Sequence, residues 1–211
     1  MSQRKERMRV QKQLATNAEE LDAVLARFLR RYARVNAETC DRFTDAFAYH
    51  IQFTECPRNF REVAEHLGIL LEASLLQRAG MACWERVNGH YTIHYSRYAD
   101  LQAASFSLAH ELFEILSAHP RFPTRLNERR EEYLANRFAA QFLMPEDEVR
   151  AAAKPLLTPE MRRYLLPKLA DRFQVSRPAM RFRLYDLGIL VRPADAIMPR
   201  KRPQEVQHAA T

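Results

Sequence analysis

Two helical patterns set one behind the other, Ala103 to Ser117 and Glu128 to Leu143, constrain this chain more than any other feature. In the second, Leu134, Ala135, Phe138, Ala139, Phe142 and Leu143 form one apolar face, and Pro145 ends the run. Phe113 and Leu116 of the first pattern are expected to meet Phe138 and Phe142 as core between the two helices. Three β-like runs precede the pair: Leu70 to Leu76, Ala82 to Val87, and His90 to Ser96. The last two are joined by Asn88-Gly89, the dipeptide that best supports a two-residue hairpin turn. Only 4 Gly beside 10% aromatics, with many Leu, Ala, Arg and Glu, favours a helix-rich α+β chain with a small sheet over an all-β sandwich.

Upstream, Leu21, Val24, Leu25, Phe28, Leu29 and Tyr32 mark an amphipathic helix between Asn17 and Val35. A second helical stretch runs from Asp41 to Phe53, and Asn59 caps a short third helix ending at Leu67-Gly68. Downstream, Lys168 to Phe173, the Gln174-Val175-Ser176 turn and Arg177 to Leu187 have the length of a helix-turn-helix, with Ser176 as N-cap and Gly188 as stop. Met180, Leu184 and Leu187 form its buried stripe, leaving Arg177, Arg181 and Arg183 outward, with Arg177 and Arg181 as candidate DNA contacts. The expected organisation is a helical N-terminal segment with a basic start over 1–57, a core over 58–150, the helix-turn-helix-like module over 151–193 and a basic tail over 194–211. The formal charge of +7 sits largely in those two ends, which read as solvated arms. Cys40, Cys56 and Cys83 show no CxxC spacing, so free thiols are expected. Neither a secretory h-region nor an apolar run of about 18 residues is present, so the expectation is a cytoplasmic chain without a membrane partner.

The first helix of the pair carries the chemistry. His110 and Glu114 lie four residues apart and project from nearly the same angle, with Glu111 one step round. This is the HExxH arrangement with one ligand changed. In HExxH sites two histidines hold the ion, while the intervening Glu acts as general base to a water, so that Glu must reach the water rather than the ion. Glu111 holds that position. A third ligand is required, because such sites use three protein ligands and leave a position open. Glu132, at the edge of the apolar face of the second helix, is the candidate, and Glu131, nearer the centre of that face, is the alternative. A His-Glu-Glu set cancels the charge of a divalent ion, and its oxygen ligands move preference from Zn²⁺ toward harder ions such as Mn²⁺.

Two other histidines are set aside. His119, nine residues beyond His110, points to the far side of the helix and is read as a helix-end residue. In the last β run Tyr91, Ile93 and Tyr95 share one face, and His90, Thr92 and His94 the more polar one, where His94 faces either the cleft or solvent, with solvent the favoured reading. That run is expected to lie beside the site helix with an unpaired edge that an extended substrate could join.

The strings Ser107-Leu108-Ala109-His110-Glu111-Leu112 and Glu132-Tyr133-Leu134-Ala135-Asn136-Arg137-Phe138-Ala139-Ala140-Gln141-Phe142-Leu143-Met144-Pro145 resemble the ImmA/IrrE metallopeptidases, whose pattern runs AHELGH and then ExxANxFAAxLLMP. The likeness extends from about Phe60 to about Leu190, where Leu169-Ala170 and Val175-Ser176 onward look like that family's C-terminal helical segment. It implies a gluzincin-like core and a bacterial or phage regulatory protease that cleaves a helix-turn-helix repressor under stress. Residue by residue, His110 and Glu132 match ligands and Glu111 matches the base, whereas Glu114 stands where the pattern has its second histidine. The expected function is therefore a metal-dependent regulatory peptidase. Its alternatives are an inactive peptidase-fold sensor or scaffold, and a DNA-binding regulator working through the C-terminal module.

Overall fold

A computed structural model describes residues 21–75, 82–87, 90–99 and 101–191. The basic arms and the Asn88-Gly89 turn lie outside them. The chain is mixed α+β, as expected. Helix α1 (residues 21–29) and α2 (Cys40–His50) come first, then α3 (Phe60–Leu67), the strands β1 (Leu70–Ser74), β2 (Ala82–Val87) and β3 (His90–Ser96), and the site helices α4 (Leu101–Ala118) and α5 (Glu128–Leu143). Helices α6 (Glu146–Ala153), α7 (Leu165–Arg172) and α8 (Arg177–Asp186) complete the described chain.

Local rules set several boundaries. Asn59 accepts a hydrogen bond from the Arg61 N–H and starts α3, and Gly68, at φ 68°, ends it in the left-handed region that favours glycine. Asn127 caps α5 through the Arg130 N–H, and Ser176 caps α8 through the Ala179 N–H.

The core is aromatic. Phe138 of α5 stacks on Phe142 with ring centroids 5.6 Å apart, and meets Phe113 of α4 at 5.5 Å and Phe47 of α2 at 5.8 Å. Two polar ties hold α2 to α5: Arg137 grips both oxygens of Asp41 at 2.7 and 2.6 Å, and Gln141 donates to Asp45 at 2.8 Å. Because Phe138 joins three helices at the centre of the cluster, Phe138→Ala should cost about 3–5 kcal/mol of stability. Denaturant unfolding followed by circular dichroism checks this, through a fall in midpoint at unchanged slope.

The sheet corrects one expectation. Its order is β1-β3-β2, with β3 parallel to β1 and antiparallel to β2, so β3 is interior and has no unpaired edge. The physical reason is charge and burial: Tyr91, Thr92, Ile93 and Ser96 of β3 are buried, while Glu72, Glu85 and Arg86 sit on the flanking strands, where charge discourages further pairing. His94 does not face open solvent either. Its Nε2 meets Glu85 of β2 at 2.9 Å, and its Nδ1 meets Ser74 at 3.2 Å and Glu72 of β1 at 3.6 Å, so the ring bridges three strands. On the other face Tyr91 donates to Asp22 of α1 at 2.8 Å and Arg86 reaches the same carboxylate at 2.5 Å, docking α1 on the hairpin.

A second correction concerns Arg183, expected to be exposed. It is 5% exposed, its Nε donates to the Met144 carbonyl at 2.9 Å, and Nη2 donates to Gln141. The carbonyls that α5 leaves unpaired at its C-terminus require donors, and Arg183 supplies one from α8. Met180, Leu184 and Leu187 are buried as expected, in the same apolar cluster as the site helices. Cys40, Cys56 and Cys83 are free thiols, and burial pushes Cys40 up to about 12. No helix among the described residues is long and apolar enough to cross a membrane.

Candidate metal centre

Helix α4 turns Leu108, Leu112, Phe113 and Leu116 into the core, and α5 meets it with Leu134, Ala135, Phe138 and Ala139. Ala109, Ala135 and Ala139 have no measurable exposure and offer little bulk, so the two helices approach closely there. His110 and Glu111 are drawn into the same seam, at 2% and 4% exposure. Two adjacent polar residues buried this deeply need a compensating environment.

For His110, Glu114 and Glu132 provide it from two different helices. The Glu114 Oε1 lies 3.2 Å from His110 Nε2, and the Glu132 Oε2 lies 3.5 Å from the same atom. His110, Glu111 and Glu114 also present ligand atoms that all fall within 4.8 Å of one another. The His110 ring is closed off at 3% side-chain exposure, whereas Glu114 and Glu132 are open at 30% and 42%. The carboxylates therefore face the accessible side of the cluster.

Asn136, one turn beyond Glu132, orders this arrangement. Its Nδ2 donates to the Glu132 carbonyl at 2.8 Å and to Glu132 Oε1 at 3.2 Å, which leaves its Oδ1 to face His110 Nδ1 at 3.4 Å. That contact suits the neutral tautomer with its proton on Nδ1, in which Nε2 would be the atom available to an ion. One side chain thus orients His110 and Glu132 together, in the way outer partners of metal-binding histidines do.

The donor set fits a divalent ion. Three electron-pair donors directed at one another repel unless a cation stands among them. A charge-assisted N–H···O contact draws in to about 2.7–2.9 Å. Ligands placed about 2.0–2.1 Å from a tetrahedral ion are instead about 3.3–3.4 Å apart. Glu114 and Glu132 stand 3.2 and 3.5 Å from His110 Nε2, while the ligand atoms that lie mutually within 4.8 Å are those of His110, Glu111 and Glu114, a set that does not include Glu132.

Glu131 does not take part in this convergence; it accepts a hydrogen bond from Ser117 Oγ. His119 lies away from the cluster, accepting from the Arg121 N–H at 3.1 Å, and His94 is held in the sheet. Cys83, on β2, is pushed up first by partial burial and then by the negative charges of Glu111, Glu85 and Glu114, so the site's field reaches that strand. Among the described residues β2 pairs only with β3 and leaves its other edge open, on the strand this field reaches. The sequence reading passed over Asn136 as an actor, although its spacing of four from Glu132 was visible.

Residues 64–185, running from α3 to α8 and containing every residue of this cluster, match the profile of peptidase family M78, described as the IrrE N-terminal-like domain. The chain belongs to this family. No curated protein matches it. Among solved structures, a Mycobacterium tuberculosis transcriptional regulator aligns at 16% identity with a TM-score of 0.48, over 79% of this chain and 51% of that one. The chain thus spans about half of that protein's length. Set against the ImmA/IrrE pattern AHELGH, the chain carries Glu114 in place of the second histidine, and that carboxylate still meets His110.

Proposed function

We propose that this ImmA/IrrE-family chain is a metal-dependent regulatory peptidase, with His110, Glu114 and Glu132 as ligands to one divalent ion and Glu111 as general base. The observation that carries the reading is the convergence of two carboxylates from separate helices on His110 Nε2. A bound Zn²⁺ or Mn²⁺ ion supplies Lewis acidity for peptide hydrolysis. Glu111, beside His110 in the seam, takes a proton from the attacking water and returns it to the departing amine. Asn136 keeps His110 in the required tautomer and holds Glu132 in place. Family likeness supports a helix-turn-helix repressor as the substrate, in a stress or mobile-element response within the cytoplasm. In this reading the core over 58–150 holds the catalytic machinery, and the module over 151–193 is an attached helical unit.

Metal analysis of protein purified without chelator tests the site. Wild type should carry about one divalent ion per chain, and His110→Ala should lose it while keeping its helical circular dichroism. Absence of metal from wild type, even after Zn²⁺ and Mn²⁺ supplementation, would favour the inactive sensor instead. The specific observation on that side is Glu114 itself, which departs from the family pattern at a ligand position.

A further inference from the structure

The metal cluster leaves the outward face of α8 without a role. Helices α7 and α8 are joined by Phe173-Gln174-Val175-Ser176, where Phe173 and Val175 are buried and Gln174 takes φ 51°. That left-handed residue turns the chain sharply enough for two helices to follow each other across a short turn. Arg183 fixes how α8 is rotated. Its bonds to Met144 and Gln141, with Met180 and Leu184 buried beside it, commit one face inward. Arg177 and Arg181, one turn apart, are left on the exposed face, with Phe182 36% exposed beside them. Neither arginine has a carboxylate partner among the described residues.

The surroundings carry the same sign. Over residues 160–186 six exposed basic side chains (Arg162, Arg163, Lys168, Arg172, Arg177 and Arg181) face three exposed acidic ones (Glu160, Asp171 and Asp186). Tyr164, 40% exposed, lies beneath Arg163 and Lys168, whose charged groups sit 4.7 and 5.8 Å from its ring centre. Two short helices, a tight turn and an outward basic second helix match a major-groove reader, in which the second helix enters the groove and its cations meet the phosphates that line it.

We propose that the α7–turn–α8 unit docks on duplex DNA, with α8 entering the major groove through Arg177 and Arg181. This surface is independent of the metal site, so His110→Ala should bind DNA as wild type does. The test uses the full chain and a fluorescent mixed-sequence duplex of about three helical turns, titrated by anisotropy over a range of salt. Arg177→Ala with Arg181→Ala should lower the salt slope by about 2 and weaken binding about tenfold or more near 0.1 M salt. Arg30→Ala with Arg61→Ala removes equal charge from exposed positions elsewhere and should leave the slope nearly unchanged. Arg177→Gln with Arg181→Gln gives the same reading should the alanine pair reduce helix content. Equal losses in the α8 pair and the control pair would overturn the proposal by showing generic charge attraction. So would equal affinity for single-stranded DNA, or capture of an acidic polypeptide in preference to duplex.

Discussion

Glu111→Gln should bind metal as wild type does and lose about 10²–10⁴ of its turnover, which is about 3–5 kcal/mol of transition-state stabilisation. Gln keeps the shape and volume of Glu111 in a position only 4% exposed, so the seam between α4 and α5 should stay packed. What it removes is the ability to accept a proton. The proposed ligands His110, Glu114 and Glu132 are untouched, which separates metal binding from hydrolysis in a single variant. The check is metal content by mass spectrometry beside cleavage of a fluorogenic peptide library, comparing kcat and KM. Loss confined to kcat supports the base; wild-type turnover in Glu111→Gln would remove Glu111 from the chemistry and leave the ion with another base.

What the sequence disclosed about this protein was local, and what it hid was tertiary. The pairing of α4 with α5 was legible because apolar positions repeat at helical spacing and because Pro145 and Asn59 punctuate the chain by rules that act within a few residues. His110, Glu111 and Glu114 were legible for the same reason, since four residues on a helix fix a shared direction. Glu132 needed the second string, and its choice over Glu131 turned on a difference of 100° around α5 that an apolar-face estimate resolves poorly. Strand order was not legible: the alternation of His90, Thr92 and His94 looks like a solvent face, yet Glu72 and Glu85 from neighbouring strands meet the His94 ring there. Arg183 was misread because exposure is the default for arginine. Only the folded chain reveals that the end of α5 leaves carbonyls for it to satisfy.

Replacing Glu114 by His should raise the preference for Zn²⁺ over Mn²⁺ by about tenfold or more, a change in affinity that even the outer partners of metal ligands produce. Helix geometry favours the exchange: residue 114 already sits on the His110 face with its carboxylate 3.2 Å from Nε2, so an imidazole there can approach the same point. With the proposed set His110, Glu114 and Glu132 the ligand charges would cancel those of the ion; with His at 114 one positive charge would remain, and a nitrogen donor would replace a hard oxygen. The ion would then polarise water more strongly, moving the pH profile of turnover toward lower pH. Folding should be little affected, because the Glu114 side chain is 30% exposed and makes its described contact within the cluster. Competitive titration of wild type and Glu114→His with Zn²⁺ and Mn²⁺ decides the matter. A shifted affinity ratio establishes residue 114 as a ligand that tunes the metal, whereas an unchanged ratio means that Glu114 only neighbours His110 and that the third ligand must be sought elsewhere, first at Glu111.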